Sequence, residues 1–210
     1  MNGIKKGFLT ILCAGILTVC SPLAFSFEYD WNDDHEYLLN YVKSNKEHII
    51  KFASLSHKNG EKYRDYIEAV AEKYDVPKEI YVLAAIESAY NPKAVSHAGA
   101  TGMWQFMKGT SRDMGLSNHS IDNRTNWEKS TVAAVKYIKY LAEDHFYGDY
   151  ELAVLAYNAG VGKVKKAILK NQSADVWVII QDESIFKKES RDYLPKFIAY
   201  INYFKYLDNQ

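Results

Sequence analysis

Beyond residue 27, apolar positions recur at helical spacing along most of the chain. Leu38, Tyr41, Val42, Ile49 and Phe52 fall at helical intervals within residues 34–52. Tyr63, Tyr66, Ile67, Val70 and Tyr74 repeat the pattern over residues 63–74, so two helices are expected there. Pro77 suits the opening of a third, running to about Tyr90 and closed by Asn91-Pro92. Thr125 or Asn126 can cap a long helix through Val132, Val135, Tyr137, Ile138 and Leu141. Asp149 can cap another over residues 150–158, with Gly160 just past its end as a stop. A last helix is expected over residues 191–207, with Pro195 in its first turn. Only residues 176–180, Val-Trp-Val-Ile-Ile, have strand character, which is too little to build a sheet. Residues 91–125 show no clear period and carry Gly99, Gly102, Gly109 and Gly115. A long glycine-bearing insertion between helices is where function tends to sit. The pattern predicts a compact all-α domain with a helical N-terminal preface.

The first residues follow a different rule. Lys5 and Lys6 precede an apolar run ending at Ser21-Pro22, and Ala24-Phe25-Ser26 supplies small residues for cleavage. This reads as a secretory signal peptide over residues 1–26, followed by a helical preface over 27–61 and the main domain over 62–210. An uncleaved anchor is the alternative, although the run is short for a span of ~20 residues. Lipidation at Cys20 is a second one, but Val19 stands where that signal wants a small residue.

The chain of 210 residues is 48% hydrophobic and 25% charged, ordinary values for a globular protein with a real core. Its 26 basic and 26 acidic residues cancel, which leaves no electrostatic footprint for nucleic acid. Cleavage after Ser26 would leave 24 basic against 26 acidic residues, a net charge of −2, and remove both cysteines. Thiol catalysis, cysteine-ligated zinc and redox work are excluded for that form. His35, His48, His57, His97, His119 and His145 show no metal-like spacing, and no phosphate-binding glycine loop is present. No metal or cofactor is expected. Ser96-His97 is not a dyad, because adjacent side chains do not face each other for a hydrogen bond.

One helix stands out chemically. Ile80-Tyr-Val-Leu-Ala-Ala-Ile-Glu-Ser-Ala-Tyr90 is apolar on almost every side and carries one carboxylate, Glu87. Its neighbours three, four and seven positions back are Ala84, Leu83 and Ile80, and no Lys or Arg lies on the stretch. A carboxyl group there is desolvated, with its pKa pushed toward neutrality, as a general acid working near pH 7 requires. The plainer alternative is a glutamate at a helix end that points into solvent. Gln105, Tyr157 and Asn158 are further polar groups delivered at the edges of apolar segments, a pattern typical of a ligand cleft.

These segments also form ordered motifs. Glu87-Ser88 is followed by Tyr90-x-Pro92-x-Ala94-x-Ser96-x-x-Gly99-Ala100-x-Gly102-x-Trp104-Gln105-Phe106-Met107. Downstream come Ile121-Asp-Asn-Arg124, Ser130-x-x-Ala133-Ala134, Ala156-Tyr-Asn-Ala-Gly160 and Glu189-Ser190-x-x-Tyr193-x-Pro195-Lys196. Together, over residues 62–200, they resemble the lytic transglycosylases with a soluble-type, lysozyme-like domain. The Trp104-Gln105-Phe106 version is closest to the transglycosylase D branch, whose carbohydrate-binding repeats are not expected here.

The resemblance implies a compact lysozyme-like (goose-type) helical domain, with residues 62–210 as the catalytic unit. It implies cleavage of the β-1,4 bond between N-acetylmuramic acid and N-acetylglucosamine in peptidoglycan glycan strands, ending in a 1,6-anhydro ring. Glu87 would be the single general acid and base. Ser96, Met103, Gln105, Tyr157, Asn158, Glu189 and Tyr193 would line the cleft. A monomeric exported protein of the periplasm or cell envelope follows, one that an envelope or secretion assembly could recruit. Two alternatives stand beside it: a goose-type muramidase that hydrolyses the same bond with water, and a non-catalytic wall-binding scaffold.

Overall fold

The computed structural model describes residues 29–31 and 34–210, so the expected signal peptide lies outside the described residues. Among them the architecture is all-α, with isolated two-residue bridges in place of strands. Helix α1 (Glu36–Lys73) is continuous where two helices were expected, and the proposed boundary at residues 61/62 falls inside it. The reason lies in residue size. Between Phe52 and Tyr63 the only large apolar residue, Leu55, is exposed, and the buried face continues through Ala53, Ser56 and Gly60, so the helical stripe is kept by small side chains. A Cβ on Gly60 would sit 2.6 Å from the Tyr90 ring, so the helix can come this close only with glycine there. His35 caps α1, its Nδ1 accepting from the Tyr37 amide at 3.1 Å.

A single 3-10 turn, Lys78–Ile80, leads into α2 (Tyr81–Ser88). That helix ends two residues earlier than expected, because Ala89 and Tyr90 turn back with φ of 51° and 60°. Burial of the Tyr90 ring drives the reversal, and its hydroxyl donates to the Tyr81 carbonyl at 3.0 Å. The glycine-bearing insertion holds one short helix, α3 (Lys108–Asp113). Then come α4 (Trp127–Tyr140), continued by a wide turn to His145, and α5 (Tyr150–Ala159). Asn126 and Asp149 cap these two, each side chain accepting an amide at 2.9 Å. α6 (Val161–Asn171) and α7 (Val176–Ile179) follow. In α7 the Asp175 cap and the burial of Val176, Trp177 and Ile179 override strand propensity. α8 (Lys188–Arg191) and α9 (Tyr193–Asp208) complete the described fold.

The core is built on α2, α5 and α9, whose sequences are apolar on most sides. Tyr81 to Ala85, Tyr150 to Ala156 and most of the first half of α9 are buried. α1 packs along α9, tied by Ser54 to Tyr203 at 3.1 Å and by His57 and Arg64 to Asp208 at 2.7 and 2.6 Å. Ahead of α1, Trp31 packs edge-on against Phe197 at 5.0 Å, and the Tyr29 hydroxyl accepts the Tyr150 amide at 3.2 Å. The preface thus rests on α9 and on the start of α5. Among the described residues no helix is long and apolar enough to cross a membrane, and no His, Cys, Asp and Glu cluster could hold a metal ion.

Candidate active site

Glu87 is the next-to-last residue of α2, half-buried beyond five residues sealed in the core. The Tyr193 hydroxyl, from the first turn of α9, donates to Glu87 Oε1. Burial raises the Glu87 pKa from 4.5 to about 7; the Tyr193 hydrogen bond and the Lys196 charge pull it down, and Glu189 pushes it up. Near neutral pH the group therefore exists in both protonation states, which suits one carboxyl that must give and then take a proton.

The same shift has a stability consequence. A carboxyl whose folded value of about 7 exceeds its ordinary 4.5 binds its proton more tightly when folded. Stability is therefore lost as pH rises between these values, and the full cost, of the order of 3 kcal/mol, is present above pH 7. Glu87→Gln is expected to raise the urea midpoint at pH 8–9 and leave it nearly unchanged at pH 4. An effect equal at both pH values would mean that the carboxyl is not desolvated.

The insertion forms the wall facing Glu87. Ser88 Oγ donates to the Met103 carbonyl at 2.7 Å and accepts the Asn91 amide at 3.1 Å, stitching the end of α2 to the loop. Tyr157, from α5, donates its hydroxyl to the Trp104 carbonyl at 2.8 Å. Trp104 is fully buried and donates from its indole to Thr131 at 3.1 Å. Arg124 ties the loop together: Nη1 reaches the carbonyls of Gly99 at 2.9 Å and Phe106 at 3.0 Å, while Nη2 pairs with Asp122 at 2.7 Å.

The residues expected from the sequence divide accordingly. Glu87, Tyr157 and Tyr193 converge, and both tyrosine hydroxyls are held well above their ordinary range by burial and by the nearby Glu87 charge. Glu189 is exposed on α8, within electrostatic reach of Glu87. Asn158 follows Tyr157, half-buried. Gln105 takes a left-handed φ of 48° and spends its amide on the loop, donating to Gly102 O at 2.8 Å and Ala94 O at 3.3 Å. Ser96 is exposed, and its hydroxyl accepts the Ala100 amide at 3.0 Å. Met103 does not line a cleft with its side chain, which is fully buried; it contributes its backbone carbonyl to Ser88. Three residues had no assigned role in the sequence reading: Ser88, Arg124 and Lys196. The burial that distinguishes Arg124 is a property of the fold, which the sequence alone does not display.

Comparison with known proteins matches residues 65–180 to the transglycosylase SLT domain. The chain is 33% identical over 166 residues to the membrane-bound lytic murein transglycosylase D of Escherichia coli K12, covering 75% of this chain and 35% of the relative. It is 29% identical over 154 residues to the soluble lytic murein transglycosylase of the same strain, covering 69% of this chain and 23% of the relative. It thus spans about a third and about a quarter of their lengths. Among solved structures, the 70 kDa soluble lytic transglycosylase of Escherichia coli aligns with TM-score 0.60 and 26% identity, over 70% of this chain and 25% of that one. An inactive glutamate-to-glutamine mutant of the lytic transglycosylase Slt from Pseudomonas aeruginosa aligns with TM-score 0.58 and 26% identity, over 70% and 24%. The fold is lysozyme-like.

Proposed function

This chain belongs to the transglycosylase SLT domain family, and from that premise we propose that it is a lytic transglycosylase of peptidoglycan. One observation carries the reading: a half-buried carboxyl poised near neutrality, with a tyrosine hydroxyl on it, at the edge of the core. The solved relative described as an inactive glutamate-to-glutamine mutant adds support.

In this reading protonated Glu87 gives its proton to the oxygen that leaves N-acetylmuramic acid. As a carboxylate it then takes the proton of that sugar's C6 hydroxyl, whose oxygen closes onto C1. Two proton transfers balance, and neither water nor a second carboxylate enters. The C6 hydroxyl is tethered to the reacting ring, a large proximity advantage over a free water molecule. Tyr193 holds the Glu87 oxygen in place, and Tyr157 fixes the loop wall while its oxygen can still accept a hydrogen bond. Ser96, Gln105, Asn158 and Glu189 frame the glycan, with Gln105 acting through the shape of the loop it locks. An exported monomer at the cell wall completes the proposal.

A muramidase reading rests on Glu189, a second carboxylate near enough to act on Glu87. Retaining and inverting glycosidases use such a pair. Mass spectrometry of digested peptidoglycan separates the two. Products ending in 1,6-anhydro-N-acetylmuramic acid, lighter by one water and inert to borohydride, are expected. Borohydride-reducible ends would establish hydrolysis, and no release at all would leave a wall-binding scaffold.

A further inference from the structure

We infer that Lys196 is a positioning residue of this site, its ammonium steadying the Glu87 carboxylate between the two proton transfers. The inference rests on the proposed role of Glu87 and concerns a residue that carries no part of that role itself. Its basis is the phase of one helix. Tyr193, Lys196 and Tyr200 lie three and four residues apart in α9, on a single face. The first of them has its hydroxyl on Glu87. Asp192 joins α8 to α9 with helical dihedrals, φ −83° and ψ −10°, so Glu189, four residues before Tyr193, falls on the same side.

Lys196 is half-buried, with its ammonium 5.6 Å from the centre of the buried Tyr200 ring. Among the described residues it makes no ion pair of its own. The groups facing Glu87 are therefore Tyr193 and Lys196 from α9, Glu189 from α8 and Tyr157 from α5. Lys196 is the one cation in that set. Burial lowers its pKa while the charges of Glu87 and Glu189 push it back up.

The chemistry needs such a charge. Once Glu87 has given up its proton, a carboxylate sits half-buried with one hydroxyl bonded to it. A compact cation nearby favours that state, so the acid gives its proton more readily. Glu189 acts in the opposite sense and keeps Glu87 from being ionised too early.

The test follows the Glu87 carboxyl directly by carbon NMR titration, together with pH profiles of kcat/KM on peptidoglycan. The variants are Lys196→Met, Lys196→Arg, Glu189→Gln and Glu87→Gln. Lys196→Met is expected to move both the Glu87 titration and the alkaline limb upward by about one pH unit, at the low end of the effect of a nearby opposite charge. Maximal kcat is expected to fall by about tenfold with KM changing less. Lys196→Arg restores the titration, and Glu189→Gln moves it downward. A Glu87 titration in Lys196→Met that matches the wild type, with Glu87→Gln inactive, overturns this inference and leaves the proposed function standing. Full activity in Glu87→Gln overturns the proposed function itself, and this inference with it.

Discussion

Glu87→Gln is expected to yield a folded protein whose activity on peptidoglycan falls by at least ~10²–10⁴-fold, the usual contribution of general acid–base catalysis. The amide occupies the same space, and its oxygen can still accept the Tyr193 hydroxyl, so the packing at the end of α2 survives. What is lost is the proton. An amide neither donates it to a leaving oxygen nor recovers one from a sugar hydroxyl, and both steps are assigned to this group. The loss should therefore exceed that of an enzyme whose two steps use different residues. Replacing Tyr157 by Phe removes the tie to Trp104 but not the acid, and costs less. Glycan release by the purified variant, measured beside its thermal unfolding, gives the answer. A folded Glu87→Gln protein that releases glycan at the wild-type rate would place the acid elsewhere.

The second large effect is structural. Gly102 has φ +85°, and a Cβ built on it would lie 1.9 Å from the Arg124 carbonyl oxygen. The clash is with backbone, which cannot swing aside like the tip of a side chain. Gly102→Ala must break either the turn at residue 102 or the strut at Arg124, whose guanidinium holds Gly99 and Phe106. Strain and lost hydrogen bonds together are expected to cost more than ~4 kcal/mol, in the tail of single-substitution effects. Activity falls too, because the displaced loop carries the Trp104 carbonyl that receives Tyr157. Chemical denaturation and glycan release should drop together. A Gly102→Ala protein as stable as wild type would mean that the loop has a second packing.

The sequence made much of this legible, and the residues show where it ran out. An apolar helix interrupted by one carboxylate is a local pattern, so Glu87 and its raised pKa could be anticipated from neighbours within two turns. The caps Asn126 and Asp149 were readable for the same reason, since a cap and its helix are adjacent in the chain. In the sequence α1 reads as two helices because its middle buries Ala53, Ser56 and Gly60, small residues that carry little hydrophobic signal. The position of Met103 in the motif points to the cleft. Spacing does not say which way a loop side chain turns, and this one turns into the core. The hydrogen bond of Tyr193 to Glu87 joins residues 106 positions apart, and no periodicity encodes a contact of that range. Lys196 lies three residues after Tyr193 in the same helix, and what the two face depends on the same long-range docking.

That docking sets an order of events. α1 and α9 lie near opposite ends of the described chain, yet α9 packs along α1 and brings Tyr193 to the acid. A chain made from its N-terminus presents Glu87 and Tyr157 before α9 exists. Closing so long a loop costs chain entropy, so the pairing of these two helices is expected to come late in folding. Until then Glu87 lacks its hydroxyl partner, Tyr193. If Glu87 is the acid proposed above, a chain in which α9 has not yet docked is expected to lack activity.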